Sequence, residues 1–112
     1  MIVLDDLGRE IPLPAPPARI VSLVPSVSET LWHVGVGERL VGVTRYCTHP
    51  REVAALPRCG GTKTPDCERI SSLRPDLVFM SAEENRSEDF ELLSQRGLAV
   101  FVCLPKTVSD VT

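Results

Sequence analysis

The sequence predicts an α/β fold in which helices cover both faces of a parallel sheet, with a small β-hairpin in front of it. Four short runs rich in valine and leucine recur along the chain, as strands buried on both faces require. Helix-capping residues and helically spaced apolar residues mark the segments between these runs. Because strands and helices alternate, we expect right-handed crossovers and a doubly wound, Rossmann-like arrangement.

Residues 1–18 form the hairpin and a proline-rich lead-in. Val3-Leu4 and Ile11-Pro12-Leu13 flank Asp5–Arg9, where two aspartates and a glycine suit a turn. Four prolines between positions 12 and 17 then hold the chain extended and remove backbone donors. The core is therefore expected to begin at Arg19.

The stretch from Arg19 to Tyr46 organises the rest of the chain. It predicts a buried strand at Ile20–Val24, a sharp turn at Pro25-Ser26, an amphipathic helix and a second strand at Leu40–Val43. Ser26 or Ser28 can cap the helix, since Ser26 and Glu29 have capping-box spacing. Loops after parallel strands gather at one edge of the sheet, where ligands bind. We therefore expect the loops after these two strands to form a small-molecule surface.

The second half of the chain continues the alternation. The predicted segments are a brief helix at Pro50–Leu56, a flexible loop at Arg58–Thr62, a helix at Cys67–Leu73 capped by Asp66, a strand at Leu77–Met80, a polar loop at Ser81–Arg86, a helix at Glu88–Arg96 capped by Ser87 and ended by Gly97, and a strand at Leu98–Leu104. Thr107–Asp110 resembles the start of a further helix. We therefore expect the sequence to be truncated at Thr112.

Composition excludes several classes of function. The 112 residues suggest one domain or one lobe of a larger protein, and the net charge of −3 argues against a nucleic-acid-binding surface. No apolar run approaches the roughly 20 residues that a membrane span needs. The first residues lack the pattern of a secretory signal, so a cytoplasmic location and a missing signal both remain open.

Cysteines and histidines give weak signals for chemistry. The spacing of Cys47, Cys59 and Cys67 lacks a zinc-ribbon pattern, and we expect free thiols in loops near one edge; Cys103 belongs to a core strand. Cys47, His49 and Cys59 could supply soft metal ligands, but loops often contain such spacings, and we assign no metal site. His33 and His49 read as a helix-surface residue and a turn residue.

No pattern in the sequence selects an enzyme. A nucleophile elbow, a P-loop lysine motif and a dinucleotide-binding glycine motif are all missing from the sequence. Glu68, in the first turn of its helix, is explained locally by the helix dipole, and the Glu83-Glu84-Asn85 loop by solvation. Catalytic residues are therefore not assigned.

Several motifs together resemble one family. The runs PSVSETL from Pro25 and ERISSLRPDLV from Glu68, in this order, resemble the N-terminal lobe of helical-backbone substrate-binding proteins of ABC importers. These are two-lobed receptors for cobalamin, ferric siderophores and haem. Together with Tyr46-x-x-His-Pro and the Glu-Glu-Asn-Arg loop, the motifs look most like the cobalamin-binding branch.

The resemblance implies a clamshell in which ligand lies between two α/β lobes joined by one long helix. It implies that residues 1–112 are the N-terminal lobe, with the hairpin and lead-in at 1–18, the core at 19–106 and the start of the interlobe helix at 107–112. Glu68 occupies the position of the glutamate that pairs with permease arginines. The implied ligand-facing residues are Pro25, Ser26, Val27, Tyr46, Gly60, Gly61, Thr62, Glu84 and Asn85.

The resemblance also carries departures and alternatives. Gly and Thr residues replace the tryptophan of the cobalamin receptor's N-lobe, and Trp32 is expected in the core. A ferric siderophore or haem is therefore an alternative ligand to a corrinoid, and neither acts as a resident cofactor. A cytoplasmic corrinoid- or chelate-handling enzyme and an isolated lobe that merely folds are the other hypotheses. Without a C-terminal lobe, we expect these residues to bind ligand weakly or not at all.

Overall fold

The computed structural model describes residues 2–13, 17–33, 35, 37–44, 51–61, 65–82 and 85–103. Its elements are β1 (Ile2–Leu4), β2 (Glu10–Pro12), β3 (Ile20–Ser22), α1 (Pro25–His33), a 3-10 turn (Gly37–Arg39), β4 (Leu40–Val43), α2 (Arg51–Ala54), α3 (Cys67–Ser72), β5 (Leu77–Ser81), α4 (Ser87–Gln95) and β6 (Val100–Cys103). Strands β1 and β2 form the antiparallel hairpin that the sequence predicts.

The four remaining strands form one parallel sheet in the order β4-β3-β5-β6. This confirms the predicted doubly wound arrangement. The chain steps from β3 to β4 on one side and then crosses to β5 on the other side. The gap between the carboxyl ends of β3 and β5 is therefore the switch point of the sheet, where ligands bind in open α/β folds.

Both faces of the sheet are apolar, and each is covered by different elements. Val21, Val78 and Val102 point to the face that packs against α3 and α4, through Ile70 and Leu93 among others. On the opposite face, Ile20 and Leu40 pack against α1 and α2, and Trp32 joins this cluster as the sequence predicts. Alternation along each strand thus supplies two cores.

The hairpin completes the second face. Ile11 and Leu13 pack against Leu77, together with Phe79 and Phe101, whose ring centroids lie 5.2 Å apart. This part of the sheet is covered by strands where a doubly wound fold normally places a helix. The outer face of β1 leaves Ile2 and Leu4 exposed.

The turn of the hairpin also covers the free edge of β6. Asp5 is buried, and its Oδ1 accepts the backbone N–H groups of Leu7 and Arg9, both at 3.0 Å. Its Oδ2 accepts two guanidinium bonds from Arg9 at 2.9 and 2.6 Å and the Val102 N–H at 3.3 Å. Arg9 in turn donates to the Val100 carbonyl at 3.0 Å and lies 4.5 Å from the Phe90 ring centroid. Side chains thus occupy edge groups that another strand could otherwise pair with.

Two predicted helix caps are wrong. Helix α1 begins at Pro25, a residue favoured in the first turn, so Ser26 and Ser28 lie inside the helix. The cap position of α4 is Arg86, which makes no side-chain cap bond, and Ser87 is the first helical residue. Asp66 caps α3 as predicted, accepting the Arg69 N–H at 3.0 Å.

Within the described part of the chain, no helix is both long enough and apolar enough to cross a bilayer.

Replacing Asp5 with alanine is expected to lower the free energy of unfolding by about 2–3 kcal/mol, because Arg9 and three backbone N–H groups lose a buried charged acceptor. Denaturant unfolding measures the change. Glu10→Ala, on the exposed face of the same hairpin, is the control and should change stability by at most about 0.5 kcal/mol. Equal effects of the two substitutions would contradict the role of Asp5.

The Asp5 contribution is also expected to depend on pH. Burial raises the pKa of Asp5, but the Arg9 and Val102 hydrogen bonds and the Arg9 charge outweigh it and hold the pKa below its ordinary value of 3.8. A lowered folded-state pKa stabilises the protein above the unfolded pKa, and this stability is lost as the pH falls through the folded value. The difference in stability between the wild type and Asp5→Asn should therefore be constant near neutral pH and shrink below about pH 4.

Candidate ligand-binding site

The carboxyl ends of the parallel strands place the predicted ligand-facing loops on one edge. The turn after β3 passes through Leu23 and Val24, both buried, into Pro25 at the start of α1. Ser26 is exposed at this edge, and Pro25 and Val27 are half-buried. The turn is joined to β5 by the Leu23 N–H, which donates to the Phe79 carbonyl at 2.9 Å.

A second segment extends the edge beyond β4. The Val43 N–H donates to the Pro57 carbonyl at 3.0 Å, and the Cys59 N–H donates to the Val43 carbonyl at 2.7 Å. Gly60 follows with φ +87°, a left-handed conformation that favours glycine. Gly61 is buried beside it. The glycine pair therefore lies beside the carboxyl end of β4, although α2 separates the two in the sequence.

The third loop follows β5, across the switch point. Asn85 is 7% exposed, and its Oδ1 accepts the Ser81 N–H at 2.6 Å, while the Asn85 N–H donates to the Ser81 carbonyl at 3.0 Å. These reciprocal bonds join Ser81 and Asn85 at the two ends of the loop. The Asn85 side chain thus ties the segment before α4 to the carboxyl end of β5.

The structure brings together Pro25, Ser26, Val27, Gly60, Gly61 and Asn85 of the predicted ligand-facing residues, all at the carboxyl edge. Tyr46, Thr62 and Glu84 lie outside the described residues. The described part of this edge is a wall of backbone and small side chains.

A largely apolar cavity of about 220 Å³ lies behind the third loop, on the α4 side of the sheet. Leu7, Met80, Phe90 and Val102 form its apolar lining, and Asn85 of the third loop lines it as well. The third loop, the hairpin turn and α4 thus surround this cavity.

Glu68 is exposed at the second position of α3. The start of α3 lies near the carboxyl edge, because the Asp66 N–H donates to the Cys59 carbonyl at 2.7 Å. The carboxylate is therefore available to a partner, on a helix that is fixed by its cap and by the buried Ile70.

Two of the cysteines that the sequence places in loops are buried in the core that α3 and α4 cover. Cys59 lies in a loop as predicted, whereas Cys67 is the first residue of α3, so its predicted place in a loop is wrong. Burial, followed by the negative charge of Asp89, raises the pKa of the Cys67 thiol. Burial raises the pKa of Cys103 to about 11, and Asp6 and Asp5 add to the shift. Cys47 lies outside the described residues.

No group of three His, Cys, Asp or Glu side chains that could hold a metal ion occurs among the residues that the structure describes. His33 is exposed on α1 and lies 3.7 Å from Glu29.

Sequence reasoning missed two residues at the edge. Ser22 and Ser28 are fully buried, and both hydroxyls bond the backbone of Val24. The available signal was a serine inside the apolar run Ile20–Val24 and another inside the next helix, but the capping-box pattern suggested a different role for Ser28.

Comparison with known proteins shows which family the chain resembles. The family model described as periplasmic binding protein matches residues 20–109. The vitamin B12-binding protein of Vibrio cholerae serotype O1 is 31% identical over 98 residues, which cover 88% of this chain and 36% of that protein. This chain thus spans about a third of the length of the relatives that it matches.

Solved structures similar to this chain belong to proteins of the same kind. The crystal structure of the periplasmic vitamin B12 binding protein of Vibrio cholerae has a TM-score of 0.77 at 30% identity, over 86% of this chain and 38% of that one. A periplasmic heme binding protein from Pseudomonas aeruginosa has a TM-score of 0.76 at 29% identity, over 80% of this chain and 32% of that one. The resemblance stated from the motifs is thereby confirmed.

Replacing Asn85 with alanine is expected to lower the free energy of unfolding by about 1–2 kcal/mol, because the buried Ser81 N–H loses its acceptor. Asn85→Asp keeps an acceptor oxygen and should lose less. Ser87→Ala, two residues away and exposed, is the control and should change stability by less than about 0.5 kcal/mol. Thermal unfolding measures all three, and an Asn85→Ala variant as stable as the control would contradict the supporting role.

Proposed function

This chain belongs to the periplasmic binding protein family, and we propose that it is the N-terminal lobe of a receptor that captures a corrinoid for an ABC importer. The family consists of binding proteins, so the chain is a binding protein and not an enzyme. In this proposal residues 1–18 are the hairpin and lead-in, 19–106 the core, and 107–112 the start of the interlobe helix. The receptor acts in the periplasm.

The observation that carries the proposal is the convergence of three loops at the carboxyl edge. The turn before Pro25, the glycine pair after β4 and the loop closed by Asn85 lie on both sides of the switch point. Open α/β sheets bind ligands at this position. Small side chains and glycine backbone allow a large, flat ligand to approach closely.

The ligand class rests on the relatives. Proteins named for vitamin B12 binding are similar over 88% of this chain, which supports a corrinoid. The haem-binding structure, similar over 80% of the chain at 29% identity, supports haem as the second candidate. A ferric siderophore is the third candidate through the resemblance of the motifs. Tyr46 is proposed to lay its ring against the ligand, and Thr62 and Glu84 are proposed to contact the ligand as well.

The wall of one lobe leaves most of a ligand uncovered, whereas sites for such molecules bury most of the ligand surface. A second lobe is therefore proposed to supply the opposing wall. The exposed Glu68 is proposed to pair with an arginine of the permease, because charge-assisted bidentate pairs fix the register of docking.

Cyanocobalamin, haemin and a ferric hydroxamate siderophore are to be titrated into a form extended through the second lobe and into residues 1–112 alone. We expect the extended form to bind cyanocobalamin with a dissociation constant in the micromolar range or below, and residues 1–112 to bind at least about 100-fold more weakly. Calorimetry and visible absorbance measure both dissociation constants. If haemin alone binds, the ligand is haem and not a corrinoid, and binding of none of the three compounds would overturn the proposal.

Reversing the charge of Glu68 tests the docking surface. Glu68→Arg is expected to weaken association of the extended receptor with its permease by about 10-fold or more, since an arginine would then face an arginine. Binding to permease reconstituted in nanodiscs measures the effect, and ligand affinity should stay unchanged.

Glu88→Arg is the matched control, because Glu88 is exposed at the same second position of the neighbouring helix α4. It carries the same charge change and the same interaction with a helix dipole. We expect it to alter association by less than about 2-fold. Equal weakening by both variants would remove Glu68 from its role.

A further inference from the structure

The carbonyl oxygen of Val24 is the focus of four hydrogen bonds. The Val27 and Ser28 N–H groups, both at 3.0 Å, begin helix α1 on this oxygen. The Ser22 hydroxyl donates to it at 3.0 Å and the Ser28 hydroxyl at 3.3 Å. The Val24 N–H also donates to the Ser22 Oγ at 3.4 Å. Two side chains thus hold one peptide unit from the strand side and from the helix side.

Both hydroxyls are fully buried between the sheet and α1. A buried hydroxyl costs free energy unless it is hydrogen-bonded. Each of these two hydroxyls offsets that cost by donating to the Val24 carbonyl. The bonds are local side chain-to-backbone bonds, which shape turns and helix starts. Ser28 donates back to the carbonyl four residues earlier, so it does not cap the helix as the sequence suggests.

We propose that Ser22 and Ser28 are positioning residues that fix the Val24–Pro25 turn and thereby set the ligand-facing surface of Pro25 and Ser26. This inference rests on the proposed function, because it gives the turn a role in ligand affinity. Val24 is the last residue before the wall, and the Leu23 N–H ties the other side of the turn to Phe79. A wall that is rigid before binding loses less conformational freedom on binding.

Ser22→Ala and Ser28→Ala in the form extended through the second lobe test the inference. Each is expected to raise the dissociation constant for cyanocobalamin, or for haemin if that is the ligand, by about 3- to 10-fold. The double variant should be weakened by less than the product of the two effects, since both hydroxyls act on one carbonyl. Ser28→Thr should recover affinity, because a helical threonine can also bond the carbonyl four residues earlier.

Ser72→Ala is the matched control. The Ser72 hydroxyl donates to the Arg69 carbonyl at 2.7 Å, within α3 and near its carboxyl-terminal end. Removing it deletes a hydroxyl-to-carbonyl bond of the same kind away from the wall, so the dissociation constant should change by less than about 2-fold.

Amide hydrogen exchange separates this inference from the proposed function. Exchange at Val27 and Ser28 is expected to rise by about 5-fold or more in the two alanine variants, with the rest of the sheet unchanged. If the wild type binds none of the probes, the proposed function fails. The exchange rates at Val27 and Ser28 then still test whether the hydroxyls fix the turn. Unchanged exchange, or unchanged affinity together with a lower melting temperature, would overturn the positioning role.

Discussion

Strand β3 is the constraint from which the position of every loop at the edge follows. It is only three residues long, yet it pairs with β4 on one side and with β5 on the other. Ile20 and Val21 enter cores on opposite faces, so neither face packs without it. The chain runs from β3 to β4 on one side and later reaches β5 on the other side. The turn at Val24 therefore lies in the gap between these two connections.

The hairpin solves a problem that this topology leaves behind. Strand β6 is an edge, and half of one sheet face is covered by neither α1 nor α2. The hairpin places Ile11 and Leu13 over that face, and Asp5 binds an edge amide of β6. An ionised carboxylate is well suited to this position, since it accepts bonds from several N–H groups at once. The same residue therefore closes the turn and covers the edge.

The sequence was informative where local pattern and packing agree. Runs such as Leu77–Met80 are short, continuously apolar and bounded by turn residues, as strands buried on both faces require, and their prediction as strands is confirmed. Ser28 was misread as a cap because a hydroxyl near a helix start has several possible backbone partners, and its buried position pairs it with the Val24 carbonyl. Ser26 and Ser87 were misread because each helix begins earlier than predicted. The burial of Cys59 and the position of the hairpin depend on contacts between distant segments, which no local pattern encodes.

Two buried serines influence which surface is left at the carboxyl edge. Ser22 and Ser81 end their strands and are buried, so polar side chains occupy interior positions where the chain turns. Among the described residues, the surface at this edge consists of the backbone and small side chains of Pro25, Ser26 and Gly60. These residues define the shape of the wall but offer little apolar area to a ligand. In the proposed receptor, affinity therefore depends on the rigidity of this wall, on the proposed Tyr46 contact and on the proposed second lobe.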